Sequence, residues 1–380
     1  MNLFNLIKYI NFRFREKKKL ATKMKSYFKT NSEFLTSGTY SLAKSESGKI
    51  IAYKHNSRNK FFVEKIVDTG YIFSDWQNRI KSNIRQFVDL VIDIPTIKIK
   101  SLKPSFNGEL IMVTYNQDVK IFDLKSKTVV NLVKDNHSYL KLIKTTNIFK
   151  DYFDIPIISS NPIKQTYIER FIDFKPYSNW SLGEKEDAVR TIFSNYKNYF
   201  IYCSANSHFI SRDIRDELAI LKNLCDGSEL LATLSTVIKN SLDSEWTYVN
   251  CHGDMVFSNI LLYKKNYYII DWIDSGKHIF FYDLFNFMFG EATFHRNYYY
   301  LEKFISGTFD HYLSGVFKLF NHTYDKEKKI YYLALFLINR IRFRIENKND
   351  ENLVAVFSSY HDTFNTFVKK IKSMEKKTVC

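Results

Sequence analysis

Three polar side chains stand at the ends of short apolar runs between residues 248 and 272, and their types suit proton handling and the binding of a hard cation. The run reads Cys251-His252-Gly253-Asp254-Met255-Val256-Phe257-Ser258-Asn259-Ile260-Leu261-Leu262, and Ile269-Ile270-Asp271-Trp272 follows. The pattern predicts a strand over 248–251, a polar loop, a strand over 260–263, a tight turn at 264–266, and a strand over 267–270 that ends on a carboxylate. A loop held at both ends by strands positions Asp254, Asn259 and Asp271 rigidly.

Transfer of a phosphoryl group from ATP requires a hydroxyl held and relieved of its proton, together with cations that spread charge over the phosphate oxygens. These residues meet both demands. Asp254 would orient and deprotonate the hydroxyl, Asn259 and Asp271 would offer hard oxygens to Mg²⁺, and His252 would brace the loop by hydrogen bonding. The plainer reading is two buried strands joined by polar turns.

The string HGDMVFSN followed by IIDW resembles the aminoglycoside phosphotransferase and choline kinase family of the protein-kinase-like superfamily, whose pattern is HGD-x4-N and then IDW or IDF. The Asp-x4-Asn spacing also matches the catalytic loop of protein kinases, with the second aspartate in the place of their DFG aspartate. The resemblance implies that Asp254 is the catalytic base, with His252 beside it, and that Asn259 and Asp271 bind Mg²⁺. It also makes Asp283, in Phe281-Tyr282-Asp283-Leu284, a structural aspartate opening the next helix. The implied fold is α+β, a protein-kinase-like two-lobed fold with a small antiparallel-sheet N-lobe, a mainly helical C-lobe and an N-terminal extension. The implied activity is ATP- and Mg²⁺-dependent phosphorylation of a small-molecule hydroxyl.

Composition bounds the rest. In 380 residues, 45% hydrophobic and 17% aromatic, there is enough apolar surface for a sizeable core, which excludes wholesale disorder. The net charge of +16 raises nucleic acid or an anionic membrane as partners. No zinc-finger spacing or RNA-recognition signature accompanies it, and abundant Phe, Tyr, Ile, Lys and Asn are what an AT-rich genome produces. Cys203, Cys225, Cys251 and Cys380 are scattered without a CxxC pair, arguing against a zinc site or disulfide framework. No apolar run approaches the roughly 18 residues of a membrane span, and Lys8, Arg13 and Arg15 break up any signal-like segment. The expected location is the cytoplasm.

At the N-terminus Leu3, Ile7, Ile10 and Phe14 recur at helical spacing, followed by Lys17, Lys18, Lys19, Lys23, Lys25 and Lys29. This segment is either a helix packed on the body or a frayed basic tail, which is the preferred reading, or it makes a weak peripheral contact with an anionic membrane. The expected divisions are a basic segment over 1–33, an extension or part of the N-lobe over 34–106, the kinase-like N-lobe and hinge over 107–173, and the helical C-lobe over 174–380.

Within 34–106 strand-like runs occur at 49–53 and 61–66, then a helix over 74–91. From 109 the order is three strands (109–115, 119–123, 128–134), a helix (137–152) and two strands (155–159, 165–171), that of a kinase N-lobe. Glu169-Arg170-Phe171-Ile172-Asp173 would be the hinge, with Glu169 and Phe171 beside the adenine and the hinge backbone bonding it. Lys134 is the candidate phosphate-binding lysine, although Asn131 fits the same slot and the following helix carries no glutamate. The rival is an earlier N-lobe over 35–95, with Ser37-Gly38-Thr39 as a short phosphate loop and Lys54 or Lys65 as its lysine. No GxGxxG loop precedes either candidate. These departures support an alternative in which the chain is a kinase-shaped scaffold that binds nucleotide or partners without turnover.

Helices are expected over 184–202, 213–224, 228–242 (capped by Ser228), 283–289, 294–320, 325–345 and 353–372. Arg340 and Arg344 lie one turn apart, suited either to an anionic acceptor or, more simply, to solvent or Glu346. Tyr298, Tyr299 and Tyr300 fit packing between helices better than stacking on a sugar, and His278 and His295 are assigned no role. The acceptor class is a sugar, amino alcohol or aminoglycoside-like compound. So basic a chain favours a neutral or anionic sugar, such as one used in a cell-surface polysaccharide, over a cationic aminoglycoside.

Overall fold

A computed structural model describes residues 18–44, 49–54, 56–67, 96–100, 104–114, 117–224, 228–239, 245–347 and 353–378. The chain divides into two compact units, one formed by Met1–Ile143, Ile155–Ser181 and Leu261–Tyr268, the other by Lys144–Asp154, Leu182–Ile260 and Ile269–Cys380.

Helix α1 (residues 18–30) opens the described chain. It is followed by β1 (Gly38–Lys44), β2 (Ile50–Lys54), α2 (Ser57–Val67), β3 (Thr96–Ile99), β4 (Leu110–Val113), β5 (Val119–Asp123), β6 (Thr128–Leu132), α3 (Asn136–Phe149), β7 (Ile157–Asn161) and β8 (Thr166–Arg170). The eight strands form one sheet in the order β3-β1-β2-β4-β5-β6-β8-β7, with antiparallel pairing throughout. Successive strand residues point to opposite faces, and here both faces are covered. Ile50 and Ala52 pack with Met24 and Phe28 of α1, whereas Ile51 and Tyr53 pack with Phe62 and Val63 of α2. Two-sided burial is why β2 and β4 read as unbroken apolar runs rather than alternating ones.

The expected run of three strands, a helix and two strands is present as β4 to β8. Segments 34–106 and 107–173 contribute strands to the same sheet. The strand expected over 61–66 is instead part of α2. The Asn56 side chain accepts the Asn59 N–H at 2.7 Å, a helix N-cap that outweighs the local strand-like composition. The helix expected over 74–91 and the apolar positions Leu3 to Phe14 lie outside the described residues. Met24 and Phe28 are 0% and 4% exposed, so α1 spends its apolar face on the sheet, as in the preferred reading of the basic segment.

The second unit carries α4 (Leu182–Ala205), β9 (Ile210–Asp213), α5 (Ile214–Leu224), α6 (Glu229–Lys239), β10 (Glu245–Cys251), β13 (Gly276–Ile279), α7 (Tyr282–Phe294), α8 (Tyr299–Ile305), α9 (Asp310–Leu319), α10 (Lys329–Asn347) and α11 (Leu353–Thr378). Between β10 and β13 the chain makes the hairpin β11 (Ile260–Tyr263) and β12 (Asn266–Ile269). Strand β10 is central in the sheet β13-β10-β9, which steadies both its ends. Ser228 caps α6 as expected, accepting the Leu231 N–H at 3.4 Å. The single helix expected over 294–320 is two helices, because Gly307 adopts φ +89° and ends α8 in the left-handed region that glycine tolerates. Every residue from 331 to 341 in α10 is buried, making it a helix enclosed on all sides. No described helix is long and apolar enough to cross a membrane.

In the first unit the Phe62 ring lies 5.3 Å from Phe122 and 4.9 Å from Phe171. Phe62→Ala is expected to destabilise this unit by about 3 kcal/mol through the cavity it leaves, read as a lowered urea midpoint. An unchanged midpoint would contradict α2 as a packed cover.

Candidate active site

The loop after β10 is held from beneath by one carboxylate. Asp283, in the first turn of α7, is 3% exposed and accepts the backbone N–H of His252 at 2.7 Å and of Gly253 at 3.0 Å. The Tyr196 hydroxyl of α4 donates to the same carboxylate. Burial pushes the Asp283 carboxyl above its ordinary range, and these hydrogen bonds oppose that shift. A buried carboxylate is tolerable because fixed donors surround it.

His252 is fully buried and bonded at both ring nitrogens. Nε2 lies 2.9 Å from the Ile270 carbonyl and Nδ1 accepts the Asp254 N–H at 3.2 Å. A carbonyl only accepts, so the hydrogen bonds assign the proton to Nε2 and leave Nδ1 as acceptor. The Trp272 ring packs 4.5 Å from the imidazole. His252 thereby ties the start of the loop to the strand end before Asp271.

Gly253 has φ +82°, and a Cβ built on it would lie 2.1 Å from the Asp274 carbonyl oxygen. This position therefore needs glycine for both backbone angle and space. The loop turns onto the 3-10 turn Trp272–Asp274 at that contact.

Asn259 completes the loop. Its Nδ2 donates to the Asp254 carbonyl at 2.8 Å and to Asp254 Oδ2 at 3.1 Å. Its own carbonyl accepts the Ile270 N–H at 3.0 Å, closing the β11–β12 hairpin one residue before Asp271. The hairpin tip uses two left-handed lysines, Lys264 (φ 48°) and Lys265 (φ 70°), in the tight turn the sequence predicts. Asp271 is itself left-handed, φ 66° and ψ 55°, a conformation that aspartate adopts more readily than most residues. It stands exposed while Trp272 is buried.

Burial raises the Asp254 carboxyl above its ordinary range. The charges of Asp274 and Asp271 push the same way, whereas Arg340 opposes them. Asp274 was not singled out from the sequence. Its only signal was its position three residues after Asp271, which a single 3-10 turn brings back toward the loop. Tyr196, Asn286 and Arg340 also bear on the loop from distant helices; nothing local in the sequence marked the first two, and Arg340 stood out only for its spacing from Arg344. Among the described residues no cluster of three or more His, Cys, Asp or Glu forms a metal cage. The Asn259 amide oxygen and the Asp271 carboxylate are hard donors of the kind Mg²⁺ takes, and one or two such groups suffice when phosphate and water fill its other positions.

The other expected site residues lie in the first unit. Lys134 is exposed beyond the end of β6, with Nζ donating to Gln117 Oε1 at 3.0 Å. Glu169 is buried and accepts the Asn131 Nδ2–H at 2.9 Å, so the residue fitting the lysine slot is bonded to the expected hinge. The Phe171 N–H donates to the Lys127 carbonyl at 2.8 Å, and the Arg170 N–H to Pro156 at 2.8 Å. These donors are thus engaged within the protein. In the second unit Arg342 pairs with Glu346 at 2.5 Å, whereas Arg340 is 3% exposed rather than solvated. Tyr300 packs on Phe257 and Phe287, with centroids 5.7 and 4.9 Å away, as the helix-packing reading expects.

No family model matches the chain, and no curated protein matches it. Solved structures do. A choline/ethanolamine kinase family protein from Mesorhizobium loti is 12% identical, with 67% of this chain and 87% of that chain covered and a TM-score of 0.39. Choline kinase LicA from Streptococcus pneumoniae is 12% identical, covering 78% and 99%, with a TM-score of 0.38. Aminoglycoside phosphotransferase APH(3'')-Id from Streptomyces rimosus is 14% identical, covering 60% and 91%, with a TM-score of 0.36. These belong to the group that the HGD-x4-N and IDW strings resemble. Identities this low, with TM-scores below 0.5, decide nothing about what this chain binds.

Two substitutions test the loop's anchoring. Gly253→Ala is expected to cost roughly 3 kcal/mol, from the left-handed backbone and the overlap with Asp274. Asp283→Asn, which turns an amide NH₂ toward backbone donors, is also expected to cost roughly 3 kcal/mol. Both are read from denaturation midpoints, and wild-type values would contradict the close approach and the clamp respectively.

Proposed function

We propose that this chain is an ATP- and Mg²⁺-dependent phosphotransferase that phosphorylates a hydroxyl of a sugar, amino alcohol or aminoglycoside-like small molecule. The observation that carries the reading is the joining of Asp254 to Asn259, side chain to side chain, in a loop whose closing hydrogen bond to Ile270 leaves Asp271 next along the chain. The support comes from the second unit; Lys134, Glu169 and Phe171 add none in their present arrangement.

In this reading Asp254 is the base. Oδ2 is oriented by Asn259, and Oδ1 has no hydrogen-bond partner among the described residues, so it remains for the acceptor hydroxyl. As the acceptor oxygen bonds to the γ-phosphorus and the bridging bond to ADP breaks, the hydroxyl proton passes to Asp254. The raised carboxyl pKa strengthens Asp254 as a base provided the group remains ionised, and the Arg340 charge favours that form. Mg²⁺ held by Asn259 and Asp271 would supply charge neutralisation on the phosphate oxygens. His252 keeps the loop in place and takes no proton, since both its ring nitrogens are already bonded. The expected setting is the cytoplasm, where ATP and Mg²⁺ are available, and the net charge of +16 favours a neutral or anionic acceptor.

One observation favours a second reading. The engaged Phe171 and Arg170 N–H groups and the Asn131–Glu169 bond suit a scaffold without turnover better than an open adenine site. A nucleotide-consumption screen across sugars, amino alcohols and aminoglycosides separates the two. The phosphotransferase reading expects Mg²⁺-dependent turnover that falls by at least about a thousandfold in Asp254→Ala. Equal rates in both proteins would remove Asp254 as the base, and no turnover on any acceptor would leave the scaffold. Asp271→Ala is expected to weaken Mg·ATP binding in calorimetry by about tenfold or more; unchanged affinity would remove it as a ligand.

A further inference from the structure

Helix α10 is buried on every side from 331 to 341, and its buried stretch contains one cation, Arg340. A charge enclosed among apolar side chains costs stability that a methionine of similar length would not. Its hydrogen-bond partners are neutral. Nε donates to the Tyr360 hydroxyl of α11 at 2.8 Å, and Nη1 donates to Asn286 Oδ1 of α7. No carboxylate forms a salt bridge with it among the described residues. The guanidinium also lies over the Phe336 and Tyr360 rings, at 5.9 and 5.4 Å.

The connection continues beyond Asn286. Asn286 is fully buried, and while its Oδ1 accepts from Arg340 its Nδ2 donates to the Met255 carbonyl at 3.3 Å. Met255 directly follows Asp254, so three links run from α11 through α10 and α7 into the loop. The planar guanidinium offers donors in fixed directions, which lysine does not. It therefore fixes the rotamer of Asn286, and Asn286 fixes the peptide after Asp254. The cation's charge also acts on the Asp254 carboxyl, opposing the effect of burial.

We propose that Arg340 is a positioning residue for the phosphotransfer, acting through Asn286 on the Met255 carbonyl to set where Asp254 points. This rests on the reading of Asp254 as the base. Asp283 and Tyr196 hold the start of the loop at His252 and Gly253, and the Arg340–Asn286 strap holds it on the far side of Asp254.

The test cuts the strap at two places. Asn286→Asp keeps an acceptor for Arg340, now charge-assisted, and removes the N–H donated to Met255. Arg340→Met keeps volume and removes the donors, and Arg340→Lys restores the charge without the fork. Native-state hydrogen exchange is followed at the amides of residues 254–259 and, for comparison, of α10 and α11, alongside steady-state kinetics. Asn286→Asp and Arg340→Met are expected to speed exchange in the loop by about tenfold with α10 and α11 still protected. They should also lower kcat about a hundredfold with KM for ATP within about twofold, and Arg340→Lys should recover part of the loss. A purely structural role would instead raise exchange across the helices and move the melting temperature with it, which would overturn the proposal. Wild-type loop exchange in Asn286→Asp would overturn it too, and that variant decides the matter if Arg340→Met does not fold. Absence of turnover in the wild-type protein would count against the phosphotransferase reading alone, because the exchange comparison still reports on the strap.

Discussion

One buried carboxylate governs the geometry of this protein's candidate site. Asp283 sits in an apolar interior with no cation in a salt bridge to it among the described residues, and it is kept there by the donors that converge on it. Two of these are consecutive backbone N–H groups, so the carboxylate fixes the peptide planes of His252 and Gly253. Everything downstream inherits that constraint. His252 presents its ring to Asp254 and Ile270, Gly253 turns left-handed against Asp274, and Asp254 emerges in hydrogen-bond reach of Asn259. A single charge buried at considerable cost is economical here because it orders a whole loop.

The second unit shows the same logic at Arg340, another charge placed where an apolar residue would pack without desolvation. Neither group is explained by stability alone, and both lead to the residues flanking Asp254. The negative charges of Asp274 and Asp271 and the positive charge of Arg340 act on that carboxyl in opposite directions. Its basicity is thus set by residues from α10 and the turn after β12 together, a balance no one segment contains.

The site was legible in the sequence to the extent that it is local. Asp254, Asn259 and Asp271 lie within 18 positions, and the strand–loop–hairpin pattern that holds them follows from short apolar runs and a polar turn. Asp283 was recognisable from its place in Phe281-Tyr282-Asp283-Leu284. Tyr196 and Asn286 were not, because each lies on a helix whose apolar stripe says only that it is buried, and Arg340 was noticed for its spacing from Arg344 rather than for any link to the loop. Strand β4 was legible because both-sided burial makes it a continuous apolar run. Helix α2 was misread because Phe61 and Phe62 resemble a strand locally, and the cap at Asn56 decides otherwise. Strands β3, β9 and β13 owe their existence to partners far away in sequence, β1 for β3 and β10 for both β9 and β13. Pairing of that kind leaves little trace in a short window.

The two units differ in how ready they are for ligand. Asp271 is exposed and Asp254 half-buried, whereas the N–H groups of Arg170 and Phe171 are already spent and Phe171 packs against Phe62. The most direct measurement is therefore a crystal structure with Mg²⁺ and a non-hydrolysable ATP analogue. The account predicts a divalent cation bound by the Asn259 amide oxygen and the Asp271 carboxylate, with the triphosphate reaching it and Asp254 facing the γ-phosphate. A metal-nucleotide complex bound elsewhere, with Asn259 and Asp271 contacting neither cation nor phosphate, would contradict it.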